Sequence, residues 1–289
     1  MGGKVLIYSR ELDIIDYGDN HTRNLLQHQM QQALVILSQS SYSLWGKIIA
    51  NLESREMNVL KFKSIVVTDI LVEQIMQELG NAQGDDMLIV DGLALVMVLQ
   101  GENGFQKVQS VRSYYAKEYG HDFIASDNDR ITSALSDLVF NSNRLSTACF
   151  DNSTCCIIKP HALRERLCGQ VIDIILTAGF EITAAEALFF DRSKAEEFLE
   201  VYKGVIPEYV DQTLQLSSGL CVALELRGQD AVSMFRKLAG PWDVDIAKEL
   251  FPESIRGRFG ADKVRCVVHC TDLEEDAKLE CHYCFRVMV

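Results

Sequence analysis

The chain has 289 residues, of which 48% are hydrophobic and 24% are charged, so it is long enough for two ordinary domains of a globular protein. Its formal net charge of −13 argues against a nucleic-acid or anionic-membrane partner, because binding to such surfaces requires a basic face. No apolar run approaches the roughly 18 residues of a membrane span, and the N terminus lacks the pattern of a signal peptide, so we expect a cytoplasmic protein.

The N-terminal part of the chain predicts short strands followed by the first of two folded units. Residues 4–19 contain two short strand-like runs, and we assign residues 1–29 to an extension rather than a domain. The apolar run at residues 33–37 predicts a buried strand. Residues 44–52 then predict a helix, and residues 57–67 predict a second strand.

An internal repeat indicates how the rest of the chain is organised. Residues 92–103 and 219–230 both predict a buried strand, a glycine and the start of a helix, and they lie 127 residues apart. Residues 149–289 therefore form a second copy of the unit that we assign to residues 30–148. The order strand, helix, strand in each copy is typical of a split βαβ, ferredoxin-like fold, so we expect an α+β protein with two tandem domains.

Two further segments complete the fold prediction. Residues 163–178 predict a helix in the second copy, and the apolar residues 281–288 predict a strand that closes it. A Rossmann sheet fits less well, because the sequence has neither Gly-x-Gly-x-x-Gly after the first strand nor a Walker phosphate loop.

The nine cysteines, without a secretion signal, indicate reduced thiols rather than a disulfide framework. Zinc-type ligands form two clusters, Cys266-x-x-His269-Cys270 and Cys281-His282-x-Cys284. We favour buried small side chains over a metal site, because valines lie inside the first cluster and the vicinal pair Cys155-Cys156 shows the same use of cysteine elsewhere.

One local run of positive charge stands out in this acidic chain. Residues 254–265 contain four basic side chains against a single aspartate. The basic residues are Arg256, Arg258, Lys263 and Arg265. Such a run is either an anion site or a solvated loop, and the charges alone do not distinguish the two.

The motifs that carry chemistry occur in a distinctive order. They are Lys159-Pro-His-Ala162, Ser218-Gly219, Arg236-Lys-Leu-Ala-Gly240, Ser254-Ile-Arg-Gly-Arg-Phe259 and Val268-His269-Cys-Thr-Asp272. In this order and spacing they resemble the nucleoside diphosphate kinases over nearly half the chain. The tandem layout is similar to that of the tandem-domain, cilium-associated members of the family. By that resemblance, residues 1 to about 25 correspond to the tail of their DM10 domain.

The resemblance implies phosphoryl transfer between nucleotides through a phosphohistidine. It implies that His269 is the nucleophile and that Glu280 fixes the tautomer of its imidazole. Lys159, Arg236 and Arg256 match the cations that bind the nucleotide phosphates and stabilise the transferring group. The cofactor implied is Mg²⁺, which accompanies the nucleotide.

The same resemblance implies roles for three hydroxyl-bearing residues and shows three departures from the family pattern. Tyr202 matches the tyrosine near the reacting phosphate, Tyr209 matches the aromatic residue that stacks on the base, and Thr271 replaces a serine. Trp242 stands near the position of a phosphate-contacting threonine, and Cys266 stands at that of a ribose-contacting asparagine. The loop before Arg256 reads Phe-Pro-Glu-Ser where the family has Lys-Pro-Gly.

The first copy lacks the corresponding groups, so we interpret it as a degenerate domain without chemistry. Ser38 falls at the position of Lys159, and Gln109 and approximately Thr132 fall at the arginine positions. No histidine falls at the position of His269, because His121 lies in a separate turn.

Three functions remain open, and the degenerate first copy favours the first, because packing surfaces can persist while catalytic residues drift. The first is a structural protein of the ciliary or flagellar axoneme, inside the doublet microtubule, with tubulin and axonemal microtubule-associated proteins as partners. The second is an active nucleoside diphosphate kinase working through the second domain. The third is a module that senses nucleoside di- or triphosphates without turnover.

Overall fold

The computed structural model describes residues 4–7, 10–13, 18, 19, 22, 30–80, 92–141 and 146–289. The predicted extension of residues 1–29 therefore lies mostly outside the described part of the chain. Within it, β1 (Lys4–Ile7) and β2 (Arg10–Asp13) form an antiparallel hairpin, which agrees with the two short strands predicted there. In the ranges described, no helix combines the length and the apolar character needed to cross a membrane.

Eight strands form one antiparallel sheet in the order β10-β7-β9-β8-β4-β5-β3-β6. The N-terminal half, residues 30–141, contributes β3 (Met30–Leu37), β4 (Asn58–Val67), β5 (Gly92–Glu102) and β6 (Ile124–Ala125). The C-terminal half, residues 146–289, contributes β7 (Ser153–Ile158), β8 (Glu181–Phe189), β9 (Leu220–Arg227) and β10 (Val268–Cys270). In each half the first strand lies between the third and the fourth, which is the order of a ferredoxin-like sheet, so the predicted α+β fold is confirmed.

Twelve helices are described around this sheet. Those of the N-terminal half are α1 (Trp45–Ser54), α2 (Asp69–Leu79), α3 (Gly104–Tyr119) and α4 (Asp129–Phe140). Those of the C-terminal half are α5 (Pro160–Arg164), α6 (Cys168–Thr177), α7 (Arg192–Phe198), α8 (Tyr209–Leu216), α9 (Ala231–Ala239), α10 (Val244–Leu250), α11 (Ile255–Phe259) and α12 (Glu274–His282). Side-chain oxygens of Thr68, Asn128 and Asp191 accept N–H groups at the starts of α2, α4 and α7, which explains why those helices begin there.

The two faces of the sheet bury different apolar layers, because successive strand residues point to opposite sides. On one face, α1 and α3 of the N-terminal half and α6 and α9 of the C-terminal half share one continuous core. On the other face, α2 and α4 cover the N-terminal half, while α7, α8 and α12 cover the C-terminal half with a separate core. The two halves thus share a hydrophobic core on only one face of the sheet.

Matching details show that the two halves are structural repeats. β4 and β8 each carry one extra residue against their neighbouring strand, Leu60 in β4 and Thr183 in β8. The hydroxyl of Ser126 accepts the N–H of Leu34 at 2.8 Å in the N-terminal half. The hydroxyl of Thr271 accepts the N–H of Cys155 at 3.1 Å at the corresponding place in the C-terminal half.

The seam between the halves is built around a pseudo-twofold axis. A Cβ atom added at Gly46 in α1 would overlap the backbone of Asp173 in α6, and one added at Gly169 in α6 would overlap the backbone of Ala50 in α1. Beneath the helices, β4 pairs with β8. Helices can approach this closely only where a side chain is absent. The two glycines occupy equivalent positions, 123 residues apart.

Two buried carboxylates lie in this seam. Glu53, in the last turn of α1, accepts the N–H groups of Cys168 (3.2 Å) and Gly169 (2.8 Å) at the start of α6. Burial raises the pKa of Glu53 to about 7, although these hydrogen bonds oppose the rise. Glu186 pairs with Lys63, with Nζ and Oε2 3.5 Å apart, and burial raises its pKa to about 7 as well.

The closing strand predicted at residues 281–288 is wrong. α12 continues to His282 and is followed by a π-helical turn, Tyr283–Val287. Three acidic residues in the first turn of α12 favour a helix start, because they face the positive end of the helix dipole. The buried residues Cys281, Cys284 and Phe285 have helical rather than alternating spacing.

The single helix predicted at residues 163–178 is also wrong, because two helices, α5 and α6, occupy this stretch. The chain turns between them at Arg166, whose φ of 59° lies in the left-handed region. This break places α6 at the seam and leaves α5 below the candidate site.

Candidate active site

His269 lies in the middle of β10, the edge strand that pairs with β7. Two residues earlier, Val267 has a φ of 71°, a strained conformation for a β-branched residue. Hydrogen bonds hold it there, since its N–H donates to Nε2 of His161 (3.2 Å) and its carbonyl accepts the N–H of Lys159 (2.9 Å). Burial lowers the pKa of His161 to about 3, so its ring stays neutral and can accept. The sequence analysis gave His161 no role, although it lies in the Lys159 motif.

The imidazole of His269 is oriented from one side. Its Nε2 lies 2.9 Å from Oε2 of Glu280 in α12, and the same carboxylate oxygen accepts the hydroxyl of Thr271 at 2.7 Å. The rings of Phe198 and Tyr202 lie edge-on, with centroids 5.1 and 6.5 Å from that of His269. Nδ1 has no hydrogen-bond partner among the residues described. With the proton on Nε2 directed at Glu280, Nδ1 carries the free lone pair.

Lys159 follows β7 directly and is buried. Its ammonium donates to Oε1 of Gln212 (2.7 Å), the carbonyl of Val264 (3.3 Å) and Sγ of Cys266 (3.1 Å). Burial alone would raise the pKa of the Cys266 thiol, but the charges of Lys159 and Arg256 outweigh it and hold the pKa below its ordinary value. All three donors of Lys159 are therefore engaged by the chain itself.

Arg256 enters the site from α11, a short helix capped by Ser254. Its guanidinium is buried and donates to the carbonyls of Gly240 (2.8 Å) and Val268 (3.0 Å) and to Sγ of Cys270 (3.5 Å). The Nε atom is buried without a hydrogen-bond partner in the described part of the chain. A buried N–H without an acceptor is costly, so this donor is suited to an incoming oxygen ligand.

Arg236 and Tyr202 meet at one carboxylate, that of Asp272. The Tyr202 hydroxyl donates to Oδ2 of Asp272 (2.6 Å), and the guanidinium of Arg236 lies 3.5 Å from Oδ1 and donates to the Asp272 carbonyl. Burial, together with this hydrogen bond, raises the pKa of Tyr202, so its hydroxyl remains protonated. Arg236 is half exposed, whereas Arg256 is buried, and both line one open cavity.

Tyr209 is a predicted site residue that the described contacts join neither to the cations nor to His269. Its hydroxyl donates to the carbonyl of Glu196 at 3.3 Å, and its ring packs on the core beneath β8. Gln212, three residues later on α8, bridges Lys159 and the carbonyl of Lys263 instead. The sequence analysis missed Gln212, and its place on the same helix face as Tyr209 was the available signal.

Trp242 lies close to both buried cations of the site. Its ring centroid is 5.4 Å from Nζ of Lys159, 5.8 Å from Cζ of Arg256 and 6.1 Å from the centroid of Tyr202. It also lines a cavity of about 870 Å³ together with Arg236, Phe251 and other residues of the loop 240–256. The indole is thus half-buried, with cations on one side and open space on another.

The N-terminal half has different side chains at the equivalent places. Register within the sheet places Ile124 at the position of His269 and Ser38 at that of Lys159, and Gln109 occupies the position of Arg236 on α3. The expected equivalence of Thr132 with Arg256 is wrong, because Thr132 lies in α4, the counterpart of α12. Residues 120–123 alone join α3 to β6, so the loop that carries Arg256 has no counterpart there.

The cysteine clusters take part in separate contacts. Cys266 and Cys270 bond the cations of the site, whereas Sγ of Cys284 lies 3.8 Å from Sγ of Cys155 in the core beneath α12. Within the described ranges, no group of three or more His, Cys, Asp or Glu side chains could hold a metal ion.

Comparisons with known proteins define the class. The family model described as nucleoside diphosphate kinase matches residues 152–288, which include the whole site. Across its full length the chain is 35% identical to the nucleoside diphosphate kinase homolog 7 of Rattus norvegicus, and the alignment covers 79% of that protein. The chain therefore belongs to the nucleoside diphosphate kinase family.

Other relatives match a little under half of this chain. The nucleoside diphosphate kinase of Aquifex aeolicus is 35% identical over 132 residues, which is 46% of this chain and 92% of that enzyme. A crystal structure of the Aquifex aeolicus enzyme aligns with 33% identity and a TM-score of 0.44, covering 48% of this chain and 98% of that one.

Proposed function

We propose that the C-terminal unit, residues 149–289, binds nucleoside di- and triphosphates and carries a phosphoryl group between them on His269. The observation that carries this proposal is the state of the His269 ring, whose Nε2 is held by Glu280 while Nδ1 is unpartnered among the described residues. A neutral imidazole in this tautomer is a nucleophile near pH 7 and a good leaving group once phosphorylated.

In the proposed reaction, Nδ1 attacks the γ-phosphorus of a nucleoside triphosphate. The Nδ1–P bond forms, the bond from phosphorus to the β,γ-bridging oxygen breaks, and the nucleoside diphosphate leaves with that electron pair. The proton on Nε2 stays between the ring and Glu280, where the negative carboxylate stabilises the positive charge of the phosphorylated ring. A second nucleoside diphosphate then attacks the phosphohistidine, and the first step runs in reverse.

The cations supply electrostatic stabilisation in this scheme. Lys159 and Arg256 are buried and lie 5.4 and 5.8 Å from the centroid of the Trp242 ring, and Arg236 is half exposed at the same site. Fixed positive charge in a buried site stabilises the charge that develops on the transferring oxygens. Mg²⁺, which neutralises the phosphates, would be held by the nucleotide, since Asp272 already binds Tyr202 and Arg236. We assign Thr271 to positioning Glu280 and Tyr209 to contact with the base.

Phosphate labelling tests this function. The purified chain is incubated at neutral pH with a nucleoside triphosphate labelled in the γ-phosphate, and acid-labile, base-stable label is mapped to His269. Label that chases to added nucleoside diphosphate supports transfer. Nucleotide binding without labelling of the chain supports the sensing module. The absence of both nucleotide binding and labelling contradicts an active site.

We propose a second, structural function for the whole chain, as a component of the axoneme in contact with tubulin and microtubule-associated proteins. The observation that favours it is the N-terminal unit, residues 30–148. Its core is as complete as that of the C-terminal unit, yet Ser38, Gln109 and Ile124 replace the phosphate-binding and nucleophilic residues. The N-terminal unit keeps a packed core without the residues for phosphoryl transfer, which fits a structural role.

Replacement of the endogenous chain in ciliated cells tests the structural role. A full-length His269→Gln chain should incorporate into axonemes as the wild type does. A chain lacking residues 1–148 should fail to incorporate. Normal axonemal localisation of the shortened chain would contradict docking through the N-terminal unit.

A further inference from the structure

The phosphate-binding cations of the C-terminal half are occupied by the protein itself. The three donors of Lys159 go to Gln212, Val264 and Cys266, and the ring of Trp242 lies within cation–π distance of both Lys159 and Arg256. An indole this close to both cations occupies space that a phosphate group in contact with both of them would need. The described conformation is therefore closed to the ligand for which its charges are suited.

A second observation indicates that a ligand nevertheless belongs there. Nε of Arg256 is buried and has no acceptor among the described residues, although both terminal nitrogens of the same guanidinium are bonded. Neither carbon nor the indole N–H can accept a hydrogen bond. A phosphate oxygen can, and charge-assisted hydrogen bonds of this kind are the strong ones.

The structure also provides space into which the indole can move. Trp242 follows Gly240 and Pro241, and all three line the cavity of about 870 Å³ that opens beside the site. Gly240 has a φ of 86°, so the chain turns sharply just before the tryptophan. Phe251 lies on the same cavity and is half exposed, which gives the displaced indole an aromatic surface to contact.

We propose that Trp242 is a gate and specificity-determining residue of the nucleotide site: its indole takes the place of a phosphate that would contact both Lys159 and Arg256 and must move into the adjacent cavity before a nucleoside diphosphate or triphosphate can bind. This inference rests on the function proposed above and adds the step that limits access. The gate favours ligands with at least two phosphates, because a single phosphate cannot replace the contacts that the indole makes with both cations.

The gate has a measurable thermodynamic consequence. If the closed form predominates by about ten to one, the apparent dissociation constant for nucleotide is raised about tenfold over that of the open form. Trp242→Thr removes the indole and should lower the dissociation constant for ADP by about tenfold. Trp242→Phe, which keeps a smaller ring, should lie between the two. Leu273→Ala shortens an exposed apolar side chain that lines the same cavity and should bind ADP as the wild type does.

Tryptophan fluorescence reports the position of the indole directly, because the chain has only two tryptophans and Trp45 is fully buried in the N-terminal half. Addition of ADP, or of pyrophosphate as a phosphate-only probe, should shift the emission of the wild type. The same addition should leave the Trp45 emission of Trp242→Thr unchanged. Lys159→Met removes one cation beneath the ring and should shift the emission without any ligand.

The outcomes separate the gate from the proposed function. Tighter ADP binding by Trp242→Thr together with a ligand-induced emission shift in the wild type supports the gate. Equal affinity in the two proteins with no emission shift overturns the gate and leaves nucleotide binding intact. Failure of both proteins to bind ADP or pyrophosphate overturns the gate and the proposed function together.

Discussion

At the scale of single residues, His269 is the side chain whose removal should be most informative. In His269→Gln the amide can still donate to Glu280, so we expect the melting temperature to change little while phosphate labelling is abolished. Glu280→Gln keeps the nucleophile but no longer holds its imidazole firmly in one tautomer. We expect its labelling to be detectable but at least about tenfold below that of the wild type. Labelling and thermal unfolding are measured on the same preparations.

The control for this prediction is His282→Gln, an exposed histidine on the same helix as Glu280. Its labelling should match the wild type. Equal labelling of wild type and His269→Gln would show that the signal comes from another residue or a contaminating kinase.

The site residues illustrate what motif and spacing can predict. His269, Glu280, Lys159 and Arg256 were assigned from the resemblance of their motifs to those of the nucleoside diphosphate kinases, and the fold brings them into one cluster. Some side chains that fill the cluster, Gln212 among them, could not be placed from the sequence. Their positions depend on rotamers and on contacts between segments far apart in the chain.

At the scale of elements, the crossing of α1 and α6 makes a sharp prediction. Gly46→Ala would improve helix propensity by about 1 kcal/mol, but the added methyl overlaps the backbone of Asp173 and forces the helices apart. Overpacking of this kind costs about 1–3 kcal/mol, so we expect a net loss of stability in urea unfolding. Lys47→Ala, on the exposed side of α1, is the matched control and should stay within about 0.5 kcal/mol of the wild type. A Gly46→Ala chain as stable as the wild type would mean that the helices are farther apart than described.

Glu53, in the same helix pair, predicts a pH dependence of stability. Its pKa in the folded chain, about 7, lies above its ordinary value of 4.5, so its neutral form is the one that folding favours. The corresponding stability is complete below about pH 4.5 and is lost as the pH rises to about 7, by about 3 kcal/mol at most. Glu53→Gln should flatten this part of the pH profile of urea unfolding, whereas the exposed control Glu249→Gln should not. Identical profiles for wild type and Glu53→Gln would contradict the assignment.

Elements were predictable from the sequence where the pattern was local. The first three strands of each half follow from their apolar runs, and the repeat between residues 92 and 219 predicted the second copy, but the short fourth strands, β6 and β10, were not predicted. Residues 281–288 were misjudged as a strand because a short apolar run fits either a strand or a buried helical turn. The break at Arg166 was missed because no glycine or proline marks it.

At the scale of the whole molecule, the pseudo-twofold seam was not visible in the sequence, since it joins residues more than a hundred positions apart. Gly46 and Gly169 are equivalent, as are Lys63 and Glu186, and each pair spans 123 residues. The surface by which the C-terminal half packs on the N-terminal half therefore resembles the N-terminal surface that it contacts. A second copy of that half could in principle take the neighbour's place.

We therefore expect the isolated fragment 149–289 to self-associate through β8 and α6, and to do so more strongly at pH 6 than at pH 8. In the full chain Glu186 faces Lys63, but in a symmetric pair of fragments Glu186 would face Glu186. Burial raises the pKa of this carboxyl to about 7 even beside Lys63, so both copies are mostly neutral at pH 6 and mostly charged at pH 8. Two charged carboxylates buried against each other repel and weaken the pair.

Sedimentation velocity at the two pH values measures the effect, with circular dichroism to verify folding. Glu186→Gln should remove the pH dependence, and Glu181→Gln, at the exposed end of β8, should retain it. A fragment that stays monomeric at both pH values, or whose dimer ignores pH, would contradict this account of the seam.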